Sequence, residues 1–346
     1  MSASPGASTL LVGHGDVIAL LPMEECIEAM AEALATLARG GAVLPLRQVV
    51  RLPDGPNAFA LMPAALNSPQ ALGAKVITVF PGNDATPYDS HQGVVLLYDT
   101  QYGRLLAILD ASTITGVRTA AVSAVATRLL SRPESRTLAL LGAGVQAETH
   151  LESIRAVRPI DEVRVWSRSG TRAERFVRTA ASRSSGDDVR FVTSPTAQAA
   201  VEGADVICTV TSSREPVLRG DWLAPGAHVN AVGASIASAR ELDTTAVARA
   251  RLFVDRRESI MNEGGDFLVP KREGVIGDDH IVGEIGELLH EPPRVAGRRT
   301  ADDITVFKSL GLAIEDVAAA HRIYTRAVAT GAGTWVELGG LRDAHA

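Results

Sequence analysis

A glycine-rich stretch lies between the apolar run Leu138–Leu141 and a predicted helix near the middle of the chain. It consists of Gly142, Ala143, Gly144, Val145, Gln146 and Ala147. In the pattern G-x-G-x-x-G/A, the first glycine permits a tight turn, the second lets a pyrophosphate approach the backbone, and a small third residue packs helix on strand. The helix N-terminus adds free N–H groups for the phosphates. The stretch therefore predicts a dinucleotide-binding loop, with a glycine-rich turn in another α/β fold as the alternative.

The end of the next predicted strand, Glu162–Trp166, indicates which dinucleotide is favoured. An NAD site places a carboxylate there for the ribose 2′-hydroxyl, whereas an NADP site presents cationic and hydroxyl donors to the 2′-phosphate. Residues 167–172 read Ser-Arg-Ser-Gly-Thr-Arg and contain no acid. We therefore expect NADP(H) to be preferred, with NAD(H) possible and a solvated polar turn as the alternative. The residues predicted to contact the cofactor outside the glycine loop are Ser167, Arg168, Ser169, Arg172, Thr209 and Val210.

Lysine is rare in this chain, since Lys and Arg together number 34 and only Lys75, Lys271 and Lys308 are lysines. Lys75 lies within the apolar run Leu72–Phe80, an unusual place for a charge. A lysine there can add positive charge or relay a proton, because burial readily tunes its pKa. A GC-rich coding sequence would also favour arginine, so the scarcity only marks Lys75 as a candidate.

The composition of the 346 residues is that of a globular protein, with 46% apolar and 21% charged residues. Disorder, collagen and coiled coil are therefore poor interpretations. The net charge of −6 argues against a general affinity for nucleic acid or anionic lipid.

The cysteines and the N-terminus indicate the compartment. Cys26 and Cys208 are too few for a disulfide framework or a structural zinc site. Residues 1–12 lack the basic and apolar regions of a signal peptide, and we find no candidate membrane helix. We therefore expect a cytoplasmic protein.

No metal is predicted, because the scattered acids and histidine lack metal-ligand spacing: Glu263, Asp266 and His280.

Short strands dominate the first third of the chain, after a predicted helix over Met23–Arg39. The strands are predicted at Arg47–Leu52, Ala58–Met62, Leu72–Phe80, Gly93–Tyr98 and Leu105–Leu109. Glycine, proline, asparagine and aspartate separate them, which is typical of an α+β segment with a mostly antiparallel sheet.

Strands and helices then alternate, after a long alanine-rich helix over Ser112–Leu130. Such alternation indicates βαβ units and a parallel sheet. A final helix over Ser309–Ala329 is long enough to return to the first domain. The predicted fold class is therefore α/β, with a Rossmann domain at 121–319 and an α+β substrate-binding and dimerisation domain at 1–120 with 320–346.

Several motifs occur in a fixed order over nearly the whole chain. They are LGAKVIT (72–78), ITGVRTAAVSA (114–124), LLGAGVQAETH (140–150), PGAHVNAVGAS (225–235), RELD (240–243) and TVFKSLGLA (305–313). Together they resemble the ornithine cyclodeaminase/mu-crystallin family, closest to its mu-crystallin branch of NADPH-dependent ketimine reductases. The resemblance implies a homodimer whose active site lies in the cleft between a substrate domain and a Rossmann domain.

Three catalytic residues are carried over by this resemblance. Arg47 and Arg118 match the arginines that hold the substrate α-carboxylate, and Lys75 matches the active-site lysine of the family. A planar guanidinium suits the first role because it binds a carboxylate through two parallel hydrogen bonds. Without the resemblance, each arginine would be interpreted as a surface ion pair. His91, between predicted strands, either contacts substrate or lies in a turn, and we favour the turn.

Two departures favour simple reduction over cyclodeamination. Cyclodeaminases carry a catalytic acid where this chain has Ser235, and a second acid where it has Ala60. Cyclodeamination must move protons while an amine is oxidised and ammonia leaves, and these losses remove the obvious general bases.

The sequence thus predicts an NADPH-dependent reductase of 2-imino carboxylates such as Δ1-pyrroline-2-carboxylate or Δ1-piperideine-2-carboxylate, giving proline or pipecolate. An ornithine cyclodeaminase or an alanine-dehydrogenase-like enzyme remains an alternative. A non-catalytic NADP-binding carrier is another alternative, and the intact set of Arg47, Lys75 and Arg118 argues against it.

Overall fold

The computed structural model describes residues 8–184, 186 and 188–340. The described chain divides into two compact units, residues 8–118 with 312–340 and residues 119–311. The sequence-based division placed the boundaries at 120/121 and 319/320. The boundaries found in the structure lie two and eight residues earlier in the chain, at 118/119 and 311/312.

Sixteen strands and eleven α-helices are found in the described residues. The strands are β1 (Ser8–Val12), β2 (Ala42–Val43), β3 (Gln48–Arg51), β4 (Ala58–Asn67), β5 (Gln70–Val79), β6 (His91–Tyr98), β7 (Leu105–Asp110), β8 (Thr137–Leu141), β9 (Glu162–Trp166), β10 (Arg190–Thr193), β11 (Val206–Thr209), β12 (His228–Ala231), β13 (Arg251–Val254), β14 (Ile281–Glu284), β15 (Thr305–Lys308) and β16 (Thr334–Glu337). The helices are α1 (His14–Leu20), α2 (Met23–Ala38), α3 (Ala111–Leu130), α4 (Val145–Val157), α5 (Gly170–Arg183), α6 (Ala197–Val201), α7 (Thr244–Arg249), α8 (Arg257–Glu263), α9 (Gly265–Arg272), α10 (Ile285–Leu288) and α11 (Ala313–Thr330).

The first unit contains an eight-stranded sheet in the order β16-β1-β7-β6-β5-β4-β2, with β3 also paired to β4. All pairs are antiparallel except β1 with β7, which agrees with the predicted mostly antiparallel sheet. Helix α11 packs on β4, β5 and β6, and α2 packs on α11. Gly73 permits this approach, because an added Cβ would lie 3.1 Å from Val317 Cγ2 and 2.5 Å from Leu96 O.

Strand β4 continues past Pro63, so the predicted strand end at Met62 is wrong. β3 pairs with residues 58–61 of β4 and β2 pairs with residues 65–66. Pro63 lies in the gap between them, where the missing N–H needs no partner on that edge. The ten-residue strand therefore tolerates a proline in its middle.

The second unit is a parallel sheet in the order β10-β9-β8-β11-β12-β15-β13-β14, with apolar layers on both faces. The chain winds outward from β8 in both directions, so the strand order reverses between β8 and β11. In open α/β sheets this reversal is where ligands bind, beyond the carboxyl ends of the strands. The predicted α/β class with a Rossmann domain is confirmed.

Two elements on either side of the 311/312 boundary differ from the prediction. Strand β15 lies centrally between β12 and β13, but it is only four residues long and ends in Lys308, so it lacks an obvious apolar pattern. The helix predicted to begin at Ser309 begins at Ala313. The intervening backbone cannot be helical, because Gly311 has φ of +80° and the Asp255 carboxylate accepts hydrogen bonds from the N–H groups of Leu310 and Gly311.

Among the described residues, no helix is both long and apolar enough to cross a membrane. Cys26 and Cys208 are both buried and unbonded to each other.

Candidate functional site

The glycine loop leaves β8 as a tight turn and enters α4. Gly142 has φ of +131°, and a Cβ there would lie 2.6 Å from Val210 O, so a larger residue would not fit. Gly144 is the N-cap of α4, and a Cβ there would meet nothing within 4 Å. Ala147 is completely buried, as the helix–sheet contact requires. The loop therefore has the open backbone and the small third residue that a pyrophosphate site needs.

Two further features of the α4 N-terminus fit a dinucleotide. The helix begins at Val145, so its first N–H groups have no intrahelical acceptor and face the turn. Among the described residues, the buried Oε1 of Gln146 has no hydrogen-bond partner. A buried acceptor without a partner is costly, and a bound ligand donor would satisfy it. The five consecutive residues of the loop and the first turn of α4 therefore suit a dinucleotide: Gly142, Ala143, Gly144, Val145 and Gln146.

The residues predicted to select NADP lie beside this loop, because Trp166 at the end of β9 pairs with Leu141 at the end of β8. Ser169 caps α5, accepting a hydrogen bond from the Arg172 N–H at 3.4 Å, while its own N–H donates to Ser167 Oγ at 3.4 Å. Arg168 and Arg172 are exposed. The turn therefore combines a helix N-terminus, two hydroxyls and two guanidinium groups without a carboxylate, the chemistry that a 2′-phosphate prefers.

Thr209 and Val210 lie across the strand-order reversal, since Thr209 pairs with Leu141. The Thr209 side chain is buried, and its hydroxyl donates to Glu241 Oε2 at 2.8 Å. Because this hydroxyl is already hydrogen-bonded within the protein, Thr209 would contact a cofactor through its backbone atoms. Val210 contributes its carbonyl oxygen next to Gly142.

Glu241 is a buried carboxylate that the sequence did not single out for a role. It accepts hydrogen bonds from the Thr211 N–H and hydroxyl at 2.7 and 2.6 Å and from the Gly233 N–H at 2.7 Å, besides that of Thr209. It thus ties together the segments that follow β11 and β12. Burial raises the pKa of Glu241 above its usual range, although the charge of Lys308 opposes this.

Lys308 and Asp266 complete the buried ionic cluster. Lys308 Nζ lies 3.0 Å from Asp266 Oδ2, and both side chains are almost inaccessible. Asp266 Oδ1 accepts the N–H groups of Glu241 and Leu242, both at 2.9 Å. Lys308 is not a surface residue, because it ends the central strand β15 between β12 and β13 and its side chain is completely buried.

The second candidate region lies entirely in the first unit, around Lys75 of β5. The Lys75 side chain is 3% exposed, and its Nζ lies 2.9 and 3.1 Å from the two carboxylate oxygens of Asp316. Nζ also lies 3.5 Å from Thr115 Oγ1, on the first turns of α3. The alternation of β5 turns Lys75 towards α11, which carries Asp316 in its first turn.

Arg118 of α3 joins the same cluster. Its Nε lies 3.0 Å from Asp316 Oδ1, and its Nη1 forms an ion pair with Glu315 Oε2. Arg118 and both acids are buried. Burial opposes the charge of the guanidinium, but Asp316 and Glu315 outweigh it and raise the pKa of Arg118. The two acids engage Nε and Nη1 of a guanidinium that has five N–H donors in all.

Arg47 lies just before β3 and is half-buried. The pKa of Lys75 is lowered to about 8 by burial and by the charge of Arg118, with Arg47 contributing and Asp316 opposing. Arg47 therefore lies within electrostatic range of Lys75. The structure brings Arg47, Lys75 and Arg118 together in one unit, although Arg47 and Lys75 are 28 positions apart in the sequence.

Glu315 and Asp316 are the residues that sequence reasoning missed. The sequence feature that could have revealed them is a pair of adjacent acids inside the otherwise apolar run Leu310–Ala320.

The two positions at which cyclodeaminases carry an acid lie elsewhere in the fold. Ala60 lies buried on β4 opposite Ile77, and Ser235 lies in the segment after β12. Lys75 still has a carboxylate partner although both of these acids are missing, because α11 supplies Asp316.

His91 begins β6 and pairs with Val79, so the favoured turn interpretation is wrong. Because side chains alternate along β5, His91 lies on the sheet face that also carries Lys75. Partial desolvation and the charge of Lys75 lower the pKa of the His91 imidazole. His91 is thus a neighbour of the cation cluster, and its side chain is exposed.

Metal ligation is the remaining chemistry to consider. In the part of the chain that the structure describes, no group of three or more His, Cys, Asp or Glu side chains could hold a metal ion. The absence of a metal stays a prediction.

Comparison with known proteins gives consistent matches over most of the chain. The family model described as "Ornithine cyclodeaminase/mu-crystallin family" matches residues 8–331. The chain is 43% identical to the ketimine reductase mu-crystallin of Mus musculus, covering 86% of this chain and 90% of that protein. The structure is similar to Thermococcus litoralis Δ1-pyrroline-2-carboxylate reductase in complex with NADH and L-proline, with TM-score 0.91, 36% identity and coverage of 95% and 100%. It is also similar to an archaeal alanine dehydrogenase dimer with bound NAD, with TM-score 0.88, 31% identity and coverage of 96% and 100%.

Proposed function

Because the chain belongs to the ornithine cyclodeaminase/mu-crystallin family, we propose that it reduces small 2-imino carboxylates to amino acids with NADPH. It is an NAD(P)-dependent oxidoreductase that acts on C=N or CH–NH bonds. The observation that carries the proposal is the buried cluster of Lys75, Arg118 and Asp316 with Arg47 nearby. This cluster offers both a carboxylate anchor and a proton donor.

Arg118 anchors the substrate carboxylate through its guanidinium, and Arg47 adds a second positive charge. A bidentate guanidinium–carboxylate pair fixes orientation as well as adding binding energy. Glu315 and Asp316 hold the guanidinium plane, so it is preorganised before the substrate arrives.

Lys75 supplies the proton. Reduction of an imine adds a hydride to carbon and a proton to nitrogen, so the site needs a donor near the substrate nitrogen. With a pKa of about 8, the Lys75 ammonium is mostly protonated at neutral pH yet acidic enough to transfer a proton. An exposed lysine would hold its proton more tightly.

NADPH supplies the hydride when it is bound at the glycine loop of the second unit. Gly142, Gly144 and the α4 N-terminus hold the pyrophosphate, and the 2′-phosphate is held by Ser167, Arg168, Ser169 and Arg172. The absence of a carboxylate from residues 167–172 supports NADPH over NADH. The related Thermococcus enzyme was solved with NADH, so the preference needs direct measurement.

A five-membered cyclic imine appears in the names of several relatives, and a six-membered ring is the next larger substrate of the same class. A Bacillus cereus Δ1-pyrroline-2-carboxylate reductase is 35% identical over 95% of this chain and 100% of its own length. We therefore favour Δ1-pyrroline-2-carboxylate and Δ1-piperideine-2-carboxylate as substrates, giving L-proline and L-pipecolate.

A homodimer is part of the proposal. The sheet face opposite α11 carries apolar side chains that remain partly or largely exposed within the chain. They are Leu11, Val50, Phe59, Leu61, Leu72, Val76, Val94, Leu96 and Ile108. A continuous apolar sheet face of this kind is a typical protein interface. The related archaeal alanine dehydrogenase was solved as a dimer. The cytoplasmic assignment stays a prediction.

A panel of imino and amino acids assayed with NADPH and NADH tests the proposed function. We expect NADPH oxidation with the two cyclic imino acids and tighter binding of NADPH than NADH in fluorescence titration. Ammonia release from ornithine without imine reduction would favour the cyclodeaminase. Oxidation of alanine would favour the dehydrogenase. NADPH binding without turnover of any substrate would favour the non-catalytic carrier.

A further inference from the structure

Asp316 contacts both functional cations of the first unit with one carboxylate. Oδ1 is shared between Lys75 Nζ at 3.1 Å and Arg118 Nε at 3.0 Å, whereas Oδ2 lies 2.9 Å from Nζ. The Asp316 side chain is completely buried. Arg118 has a second acid, because Glu315 is also paired with that guanidinium, whereas Asp316 is the acid in contact with Lys75 Nζ. Asp316 therefore serves Lys75 as well as Arg118.

The neighbours of the Lys75 ammonium also fix its direction. Thr115 donates its hydroxyl hydrogen to Ala111 O at 2.6 Å, so it presents a lone pair to Nζ. Asp316 and Thr115 can thus accept two of the three ammonium hydrogens, and no other acceptor among the described residues takes the third, which can serve a substrate nitrogen.

The remaining charges around Lys75 mostly oppose its protonation. The titratable and charged groups that face it, directly or through Arg118, are Arg47 before β3, His91 on β6, Arg118 on α3, Asp316 and Glu315 on α11, and Cys26 on α2. Two arginines and a buried environment disfavour a third cation, and Asp316 is the acid in hydrogen-bond contact with Nζ.

We propose that Asp316 is a positioning residue that keeps Lys75 protonated and aims its third N–H at the imine nitrogen. The proposal rests on the proposed function. In the reaction, the Nζ–H bond breaks and an N–H bond forms on the substrate, while the C=N π bond accepts the hydride of NADPH at carbon. NADPH is oxidised to NADP⁺, the imine is reduced, and neutral Lys75 regains a proton from solvent.

The test compares Asp316→Asn with the matched control Glu315→Gln, which changes an adjacent buried acid that touches Arg118. The readout is the pH profile of kcat/KM with Δ1-piperideine-2-carboxylate. Wild-type kcat/KM should fall above a pH near 8, the pKa of Lys75. In Asp316→Asn this alkaline limb should move down by about 1 pH unit or more, because the opposite charge beside the ammonium is lost. Asp316→Glu should move the limb back towards wild type.

Glu315→Gln should raise KM for the imino acid and leave the alkaline limb in place. A merely structural role for Asp316 would lower stability without moving the limb, so an unmoved limb in Asp316→Asn overturns the proposal. An equal shift in Glu315→Gln would also overturn it.

A second measurement does not depend on turnover. Competitive acetylation of the amines, followed by mass spectrometry of the Lys75 peptide, reports the pKa of Lys75 directly. A lower Lys75 pKa in Asp316→Asn than in wild type supports the electrostatic assignment, even if imine reduction is absent and the proposed function fails. An unchanged Lys75 pKa contradicts the assignment whatever the activity.

Discussion

At the residue scale, the three lysines of the chain have three different environments. Lys75 is buried beside Asp316, Lys308 is buried beside Asp266, and Lys271 forms a largely exposed pair with Asp278. The sequence could single out Lys75 because a charge inside an apolar strand is conspicuous. It could not pair Lys75 with Asp316, because the two residues are 241 positions apart and only the packing of α11 on β5 brings them together.

Replacing Lys75 tests its role as proton donor. Lys75→Met should lower kcat by about 10²- to 10⁴-fold, the range typical of a lost general acid. NADPH affinity should be unchanged, because the glycine loop belongs to the other unit. Steady-state kinetics and fluorescence titration measure the two quantities. Lys271→Met, at an exposed ion pair, is the control and should keep wild-type kcat. Near-normal turnover in Lys75→Met would remove Lys75 from the mechanism.

At the element scale, the sequence predicts an element best when the residues that define it are contiguous in the chain. The turn from β8 to α4 was predictable because its glycines and its flanking elements are contiguous. Strand β15 was not, because a four-residue strand is recognised only through its neighbours β12 and β13. Likewise, the Glu241 cluster depends on where the segments after β11 and β12 meet, which no local pattern encodes.

The turn after β9 should determine cofactor choice. Ser167→Asp places a carboxylate where the 2′-phosphate is expected and where an NAD site binds the ribose hydroxyls. We expect KM for NADPH to rise by about tenfold or more and KM for NADH to fall, since one charged hydrogen bond contributes about 1.5–3 kcal/mol. The ratio of kcat/KM for the two cofactors measures the change. An unaltered ratio would contradict the placement of the 2′-phosphate.

The buried cluster of the second unit should contribute to stability. Lys308→Met leaves Asp266 without its cation, and breaking a buried pair in this way costs about 3–5 kcal/mol. The surface pair of Lys271 should contribute only about 0–1 kcal/mol. Denaturant unfolding of Lys308→Met and Lys271→Met gives the two free energies of unfolding. Similar values for the two variants would show that Lys308 and Asp266 do not stabilise the fold as a pair.

At the scale of the whole molecule, the two units divide the chemistry. Residues 8–118 with 312–340 carry Lys75, Arg118 and Asp316, and residues 119–311 carry the glycine loop. The sequence-based division, with boundaries at 120/121 and 319/320, placed the glycine loop and Lys75 in different domains, because the change from antiparallel strands to strand–helix alternation lies between them. The exposed apolar sheet face could not be located from sequence, since strands of the first unit are apolar on both faces.

That sheet face should mediate dimerisation. Phe59 is 41% exposed on β4, and Phe59→Glu would bury a charge in an interface formed by the face. We expect a dimeric wild type and a mostly monomeric Phe59→Glu in sedimentation velocity. Val328→Glu, at a 51%-exposed position on α11, is the control and should leave the dimer intact. A monomeric wild type would contradict the proposed homodimer.

The most direct measurement of the proposed reaction is the fate of the hydride. Δ1-Piperideine-2-carboxylate is incubated with NADPH deuterated at both C4 positions, and the product is analysed by mass spectrometry and NMR. We expect L-pipecolate one mass unit heavier, with the deuterium on the α-carbon that was the imine carbon. Pipecolate without deuterium, or no pipecolate from an enzyme that binds NADPH, would contradict it.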